Sequence, residues 1–193
     1  ETNTKYEANG TANNNNYNWG YDPHNYFTPE GWYSSDATNP YSRVSELREL
    51  VDAAHAKGLG ILLDVVYNHM ANTALMEDIV PGYYFRTANG KFTSKSGCGN
   101  DVASTRAMAR RLIVESTSYW VKEYKVDGFR FDLMGLIDTD TMFKAYEECA
   151  KINKDTLFVG EGWSMYNGPS GTFGMEQKQV SKTDSISVFN DEL

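Results

Sequence analysis

The chain has 193 residues, 40% of them hydrophobic, which is enough for a sizeable core and one domain or slightly more. Its 18 Lys+Arg against 26 Asp+Glu give a formal net charge of -8, and no basic patch offsets it; nucleic acid and anionic membrane surfaces are thereby disfavoured as partners. Cys98 and Cys149 lack CxxC or zinc-ligand spacing, and no apolar run reaches membrane-spanning length.

Residues 1–41 are rich in Asn, Tyr, Gly and Pro, with Asn13–Asn16 in succession, and read as irregular loop. From Ser42 the spacing of Val44, Leu47, Leu50, Val51 and Ala54 predicts an amphipathic helix, with Gly58 placed to cap its end. Leu59 to Val66 is a nearly continuous apolar strand of the kind buried on both faces of a parallel sheet. Asp64 interrupts it, and an acid there is costly to bury unless paired, so it is expected to have a task. The stretch 70–105 is a long loop or small subdomain punctuated by Pro81-Gly82, Asn89-Gly90 and Gly97-Cys98-Gly99; loops this long are usually functional. A second helix is predicted from about Ser104 to Tyr124, with Met108, Leu112, Ile113, Tyr119 and Trp120 as core candidates. A strand ending at Asp132 follows, then a helix capped by Asp138, then the strand Leu157 to Glu161. A Gly/Ser-rich loop and a short stretch, Ser185 to Phe189, complete the chain. This order predicts an α/β fold with a parallel sheet.

Two of these strands end in carboxylates, at Asp132 and Glu161, with a helix between them. A parallel βαβ unit delivers both acids to the same rim of its sheet, and two carboxylates on one rim are the minimal apparatus for cleaving a glycosidic bond. Arg130 sits two residues before Asp132, on the same strand face, where a guanidinium favours the ionised carboxylate. Glu161 lies between Gly160 and Gly162 beside Trp163, and a partly apolar pocket there is expected to favour its protonated form. Taken alone, Arg130–Asp132 reads more readily as a structural ion pair and His69 as an ordinary loop histidine, while Glu161 reads equally as a helix-capping acid. Three strands cannot close a (β/α)8 barrel, which needs eight, and no glycine-rich phosphate turn supports a nucleotide-binding sheet.

Longer motifs sharpen the reading. Tyr17-Asn18-Trp19-Gly20-Tyr21-Asp22-Pro23 resembles the signature of type I pullulanases, the starch-debranching members of the alpha-amylase family. Asp64-Val65-Val66-Tyr67-Asn68-His69 resembles that family's first conserved region, and Val126 to Gly135 its second. Gly160-Glu161-Gly162-Trp163 resembles the third in its debranching form. Gly99 to Ser104 and Val188-Phe189-Asn190-Asp191 resemble connecting segments of the same enzymes. The matches run in family order over nearly the whole chain from Tyr17.

The resemblance implies a partial (β/α)8 TIM barrel, about strands 3 to 5 with their helices and a long inserted loop. It implies a retaining hydrolase of α-1,6-glucosidic bonds in pullulan, amylopectin or branched dextrins. Asp132 would be the nucleophile and Glu161 the acid/base. Tyr21, His69, Arg130, Met134 and Trp163 would contact sugar, with Asp64 and Asn68 as structural support. Aromatic faces suit the apolar face of a glucose ring. Within the class, isoamylase or an α-1,4-acting amylase is the alternative; outside it, a non-catalytic glycan-binding relative.

Two departures from the family pattern stand out: Thr105 occupies the place of an acid, and Ser164 follows Trp163 where Asp is usual. No His-Asp pair occurs after Glu161, although the resemblance implies a third acid there. The chain is therefore expected to be a central fragment of one catalytic barrel, inactive by itself and partnered by the remaining barrel. Its start at Glu1 rather than Met fits an excised piece. A secreted or cell-surface setting is preferred over a cytoplasmic one. No cofactor or metal is required on this reading: Glu77, Asp78 and Asp101 lack regular calcium-ligand spacing, so calcium is possible but not indicated.

Overall fold

The computed structural model describes residues 19–190; Asn13–Asn16, Tyr17, Asn18 and Asp191, read above from the sequence, lie outside the described residues. A 3-10 turn, Gly31–Tyr33, leads into helix α1, Pro40–His55. The helix starts two residues before Ser42 because Asn39 caps it, its side chain accepting from the Tyr41 amide, and Pro40 occupies the first turn, where no amide partner is needed. Gly58 adopts φ 73°, and the amides of Gly58 and Leu59 donate to the His55 and Ala54 carbonyls, closing the C-terminus as expected.

Strand β1 (Leu62–Val65) follows, then α2 (Ala74–Glu77) and the short strands β2 (Thr87–Ala88) and β3 (Lys91–Phe92). Helix α3 (Ala107–Tyr124), strand β4 (Gly128–Phe131), a 3-10 turn (Met134–Leu136) and helix α4 (Thr139–Ile152) come next. Strand β5 (Leu157–Gly160), the short helix α5 (Gln177–Val180) and strand β6 (Ile186–Val188) complete the described elements. The four longer-range strands pair in the order β1-β4-β5-β6, all parallel, so the predicted α/β fold with a parallel sheet is present.

Side-chain alternation along the strands separates two faces. Phe129, Phe131 and Phe158 point toward the helices and are buried; Tyr146 of α4 meets the Phe158 ring at 5.4 Å between centroids, edge-on. Ile113 and Trp120 of α3, Met142 and Cys149 of α4, and Val51 of α1 fill the same core. The opposite parity carries Leu62, Asp64, Arg130 and Leu157, and there Leu62 is 44% and Leu157 59% exposed. This corrects one expectation. The apolar run 59–66 forms only a four-residue strand, half exposed, because β1 is an edge strand whose second face is uncovered by the described residues. Met108 also lies outside the core, at the exposed start of α3.

The stretch 70–105 is a small folded unit. Strands β2 and β3 form an antiparallel hairpin whose turn, Asn89-Gly90, has φ 51° and 73°. Those positive angles are what a two-residue primed turn requires, and Asn-Gly meets them at little cost. Phe85 bridges Val102, so the hairpin is stitched to the chain just before α3.

Candidate active site

The ladder hydrogen bonds continue one residue beyond the strands. The Asp132 amide donates to the Val65 carbonyl (2.9 Å), the Glu161 amide to Phe131 (3.1 Å) and the Phe189 amide to Gly160 (3.1 Å). Asp132, Glu161 and Phe189 therefore stand side by side at the carboxyl rim of β4, β5 and β6. Neighbouring strands lie about 4.8 Å apart. Two acids at the same level of adjacent strands are thus spaced on the scale of the about 5–5.5 Å that retaining glycosidases use.

Arg130 organises the rim. Its Nη1 donates to Asp64 Oδ1 at 2.8 Å and to Asp132 Oδ1 at 3.1 Å, while Nη2 meets Glu161 Oε1 at 2.7 Å. Burial works against the charged guanidinium, but the hydrogen bond and charge of Asp64, with the charges of Glu161 and Asp132, outweigh it and raise its pKa. The Tyr21 and Phe189 rings approach the guanidinium at 5.7 and 5.8 Å. Tyr21 also donates its hydroxyl to Asp64 Oδ2 at 2.9 Å, which raises the pKa of the phenol.

Asn68 touches Asp132 directly. Its Nδ2 donates to Asp132 Oδ2 (2.9 Å) and to the Asp132 carbonyl (3.0 Å), leaving Oδ1 to accept from His69 Nδ1 at 2.6 Å. Both residues are buried. Burial lowers the pKa of His69, with the Tyr21 backbone and nearby carboxylates opposing it, so the imidazole is held toward its neutral form. Glu161 differs from the apolar pocket expected for it. Besides Arg130, its Oε2 accepts from the Leu133 amide at 2.9 Å. Leu133 reaches that position with φ 41° and ψ 47°, a left-handed conformation costly for a leucine and of the kind that collects at functional sites.

Most of the residues expected from the sequence are therefore brought together: Tyr21, Asp64, Asn68, His69, Arg130, Asp132 and Glu161 form one hydrogen-bonded and charged cluster. Trp163 lies two residues past Glu161 and is half-buried. Met134 is the exception. It is fully buried, packed beneath Gly160, where a Cβ would come within 3.0 Å of its Cβ and Sδ. Among the described residues its place is in the packing below the site. Phe189, Leu133 and the direct role of Asn68 were not foreseen; an aromatic one residue past a strand end was the available signal for Phe189.

Asp101 is also fully buried. Its oxygens accept from the Thr93 hydroxyl (2.6 Å), the Lys95 and Ser96 amides (2.9 and 2.8 Å) and Asn167 Nδ2 (2.7 Å). Burial opposes its ionisation, but these four hydrogen bonds outweigh that and hold its carboxyl below the usual carboxylate range. Among the described residues no group of three His, Cys, Asp or Glu side chains gathers as a metal site would need.

Around Arg130, three carboxylates face one guanidinium, an excess of negative charge suited to a transition state that develops positive charge. No protein-family model matches the chain. Pullulanase A of Streptococcus pneumoniae is 43% identical over 185 residues, covering 94% of this chain and 14% of that protein. The pullulanase of Bacillus subtilis is 44% identical over 152 residues, covering 77% of this chain and 21% of that protein. Among solved structures, type I pullulanase from Bacillus subtilis complexed with maltose matches with a TM-score of 0.86 at 41% identity, over 91% of this chain and 25% of that one. Pullulanase from Anoxybacillus sp. LM18-11 complexed with maltotetraose matches with a TM-score of 0.87 at 42% identity, over 91% of this chain and 26% of that one. The chain thus spans about a quarter or less of these relatives' length, and over that span it belongs to the pullulanase family.

Proposed function

We propose that this chain carries the nucleophile and the acid/base of a retaining glycoside hydrolase that cuts α-1,6-glucosidic linkages in pullulan, amylopectin or branched dextrins. The observation that carries the reading is the single Arg130 guanidinium bound to both Asp132 and Glu161 at adjacent strand ends, in a pullulanase sequence. Asp132 attacks the anomeric carbon as the glycosidic C–O bond breaks, and Glu161 gives its proton to the departing oxygen. Glu161 then takes a proton from the water that displaces Asp132 from that carbon, restoring both groups. Arg130 and Asn68 each donate to the Asp132 carboxylate and orient it. Tyr21 and His69 contact the sugar whose bond is cut, and Trp163 the sugar beyond it; Asp64 holds Tyr21 and Arg130 in place. The α-glucan substrate class is supported by the maltose and maltotetraose complexes of the solved relatives.

On the same reading β1, β4 and β5 are the third to fifth strands of a (β/α)8 barrel. All-parallel pairing, helices on one face and an uncovered apolar second face support it. These 193 residues alone are then inactive, since the third acid and the closed barrel are not among them. The setting is read as non-cytoplasmic, secreted or cell-surface in preference; the two plant relatives named chloroplastic support only the coarser, non-cytoplasmic part.

The test is pullulan hydrolysis by the natural full-length polypeptide and its Asp132→Asn variant. Maltotriose as product, and a loss of about 10³-fold or more in kcat on substitution, is expected. Panose-type products would indicate α-1,4 cleavage, and a variant that keeps most of its activity would remove Asp132 from the chemistry.

A further inference from the structure

The chemistry proposed above depends on the separation of two carboxylates that leave the sheet on two different loops, and one buried cation joins those loops. Arg86, immediately before β2, is 6% exposed. Its Nη2 donates to the Leu136 carbonyl at 2.7 Å and to the Ser104 hydroxyl at 3.3 Å, and its Nη1 to Asn167 Oδ1 at 2.6 Å. The guanidinium lies over the Tyr166 ring at 4.9 Å. Leu136 is on the loop that follows Asp132; Tyr166 and Asn167 are on the loop that follows Glu161. Asn167 is fixed from its other side, with Nδ2 donating to Asp101 Oδ2 at 2.7 Å and to Thr93 Oγ1 at 3.1 Å.

We propose that Arg86 is a positioning residue that sets the spacing of Asp132 and Glu161 by tying the loop after β4 to the loop after β5. This rests on the reading of those two acids as the reacting pair.

The two loops touch at the site itself. The Leu133 amide holds Glu161 Oε2, and the Gly135 amide donates to the Glu161 carbonyl at 2.9 Å. Gly135 lies so close to the Trp163 backbone that an added Cβ would come within 2.1 Å of its carbonyl oxygen. The two loops also pair further along, where the Met175 amide donates to the Ile137 carbonyl and the Thr139 amide to the Phe173 carbonyl, both at 2.8 Å; Arg86 ties them at a separate point, between Leu136 and Asn167. A planar fork with two η nitrogens spans two acceptors on separate loops at once, whereas a lysine ammonium is a point charge on a flexible stem. A buried arginine is also expensive unless its hydrogen bonds are made, which gives its partners one geometry. The inserted hairpin unit thereby supports the site from outside it, since it carries Arg86 and Asp101, which hold Asn167 from two sides.

Arg86→Lys in the natural full-length polypeptide tests this with two substrates. Pullulan needs a proton from Glu161 for its leaving group. α-Maltotriosyl fluoride, turned over in the presence of azide, needs neither that proton nor a base, because fluoride departs unaided and azide takes the glycosyl group. The expected result is a fall in kcat of about 10²-fold on pullulan with KM little changed, and a fall of less than about threefold on the fluoride with azide. Equal losses on both substrates, or no loss on either, would overturn the proposal. Amide exchange decides the same point without turnover. The Leu133 and Gly135 amides should exchange about tenfold faster in Arg86→Lys, with Val121 in α3 unchanged. Unaltered exchange at Gly135 would refute the tie. If the unsubstituted polypeptide leaves pullulan intact, the functional reading fails and the exchange result still judges the positioning role. Asn167→Ala breaks the tie from the other loop and should give the same pattern should Arg86→Lys not fold.

Discussion

At the residue scale, the site is held by groups whose charge and hydrogen bonding are mutually dependent. Asp101 is the clearest case away from the rim. Its four donors are built around an anion, so Asp101→Asn sets an amide group against them and is expected to cost about 2–3 kcal/mol of stability near neutral pH. The sign with pH follows from its lowered pKa. The contribution is fully present above the unfolded value near 3.8 and is lost as pH falls through the lower folded value. Urea denaturation of both forms at pH 7 and pH 3 should therefore show the gap narrowing in acid. A gap that is constant or widens would contradict the ionised network. Asp132, Glu161 and Arg130 were legible from sequence because each sits at a strand end, where parity fixes direction. Met134 was not. Membership in a motif places a residue near the chemistry, but its side chain leaves a 3-10 turn downward into the core. Arg86 and Asn167 were invisible for another reason, since their contact joins residues 81 apart in sequence on two loops without periodicity.

At the element scale, the helices were read well because their amphipathic spacing and caps are local. Asp138 was expected to cap α4, and it does, accepting from the Thr141 amide at 3.0 Å. The structure adds Arg110, whose Nη2 meets the same buried carboxylate at 2.9 Å from a half-exposed position. Asp138→Ala is thus expected to destabilise the fold by about 3 kcal/mol, and Asp138→Asn, which keeps the cap but loses the charge, by about half that. Thermal or urea unfolding measures both, and equal losses in the two variants would assign the effect to the ion pair alone. The β2–β3 hairpin was missed despite Asn89-Gly90, because strands of two residues offer no alternation to detect. The extent of β1 was overread for a physical reason: an apolar run signals burial, and this strand has an open edge and one uncovered face among the described residues.

At the scale of the whole molecule, the parallel sheet, the hairpin unit and the two loops converge on a rim with three carboxylates and one arginine. The acidic balance of the chain, -8 overall, agrees with a neutral sugar polymer as partner better than with a polyanion. The central claim is that Asp132 forms a covalent bond to the sugar. It is tested most directly by inactivating the natural full-length polypeptide with a 5-fluoro-substituted α-glycosyl fluoride and mapping the modified peptide by mass spectrometry. The expected result is one glycosyl group per chain, on the peptide carrying Asp132. A label on Glu161 or Asp64 instead would contradict the account.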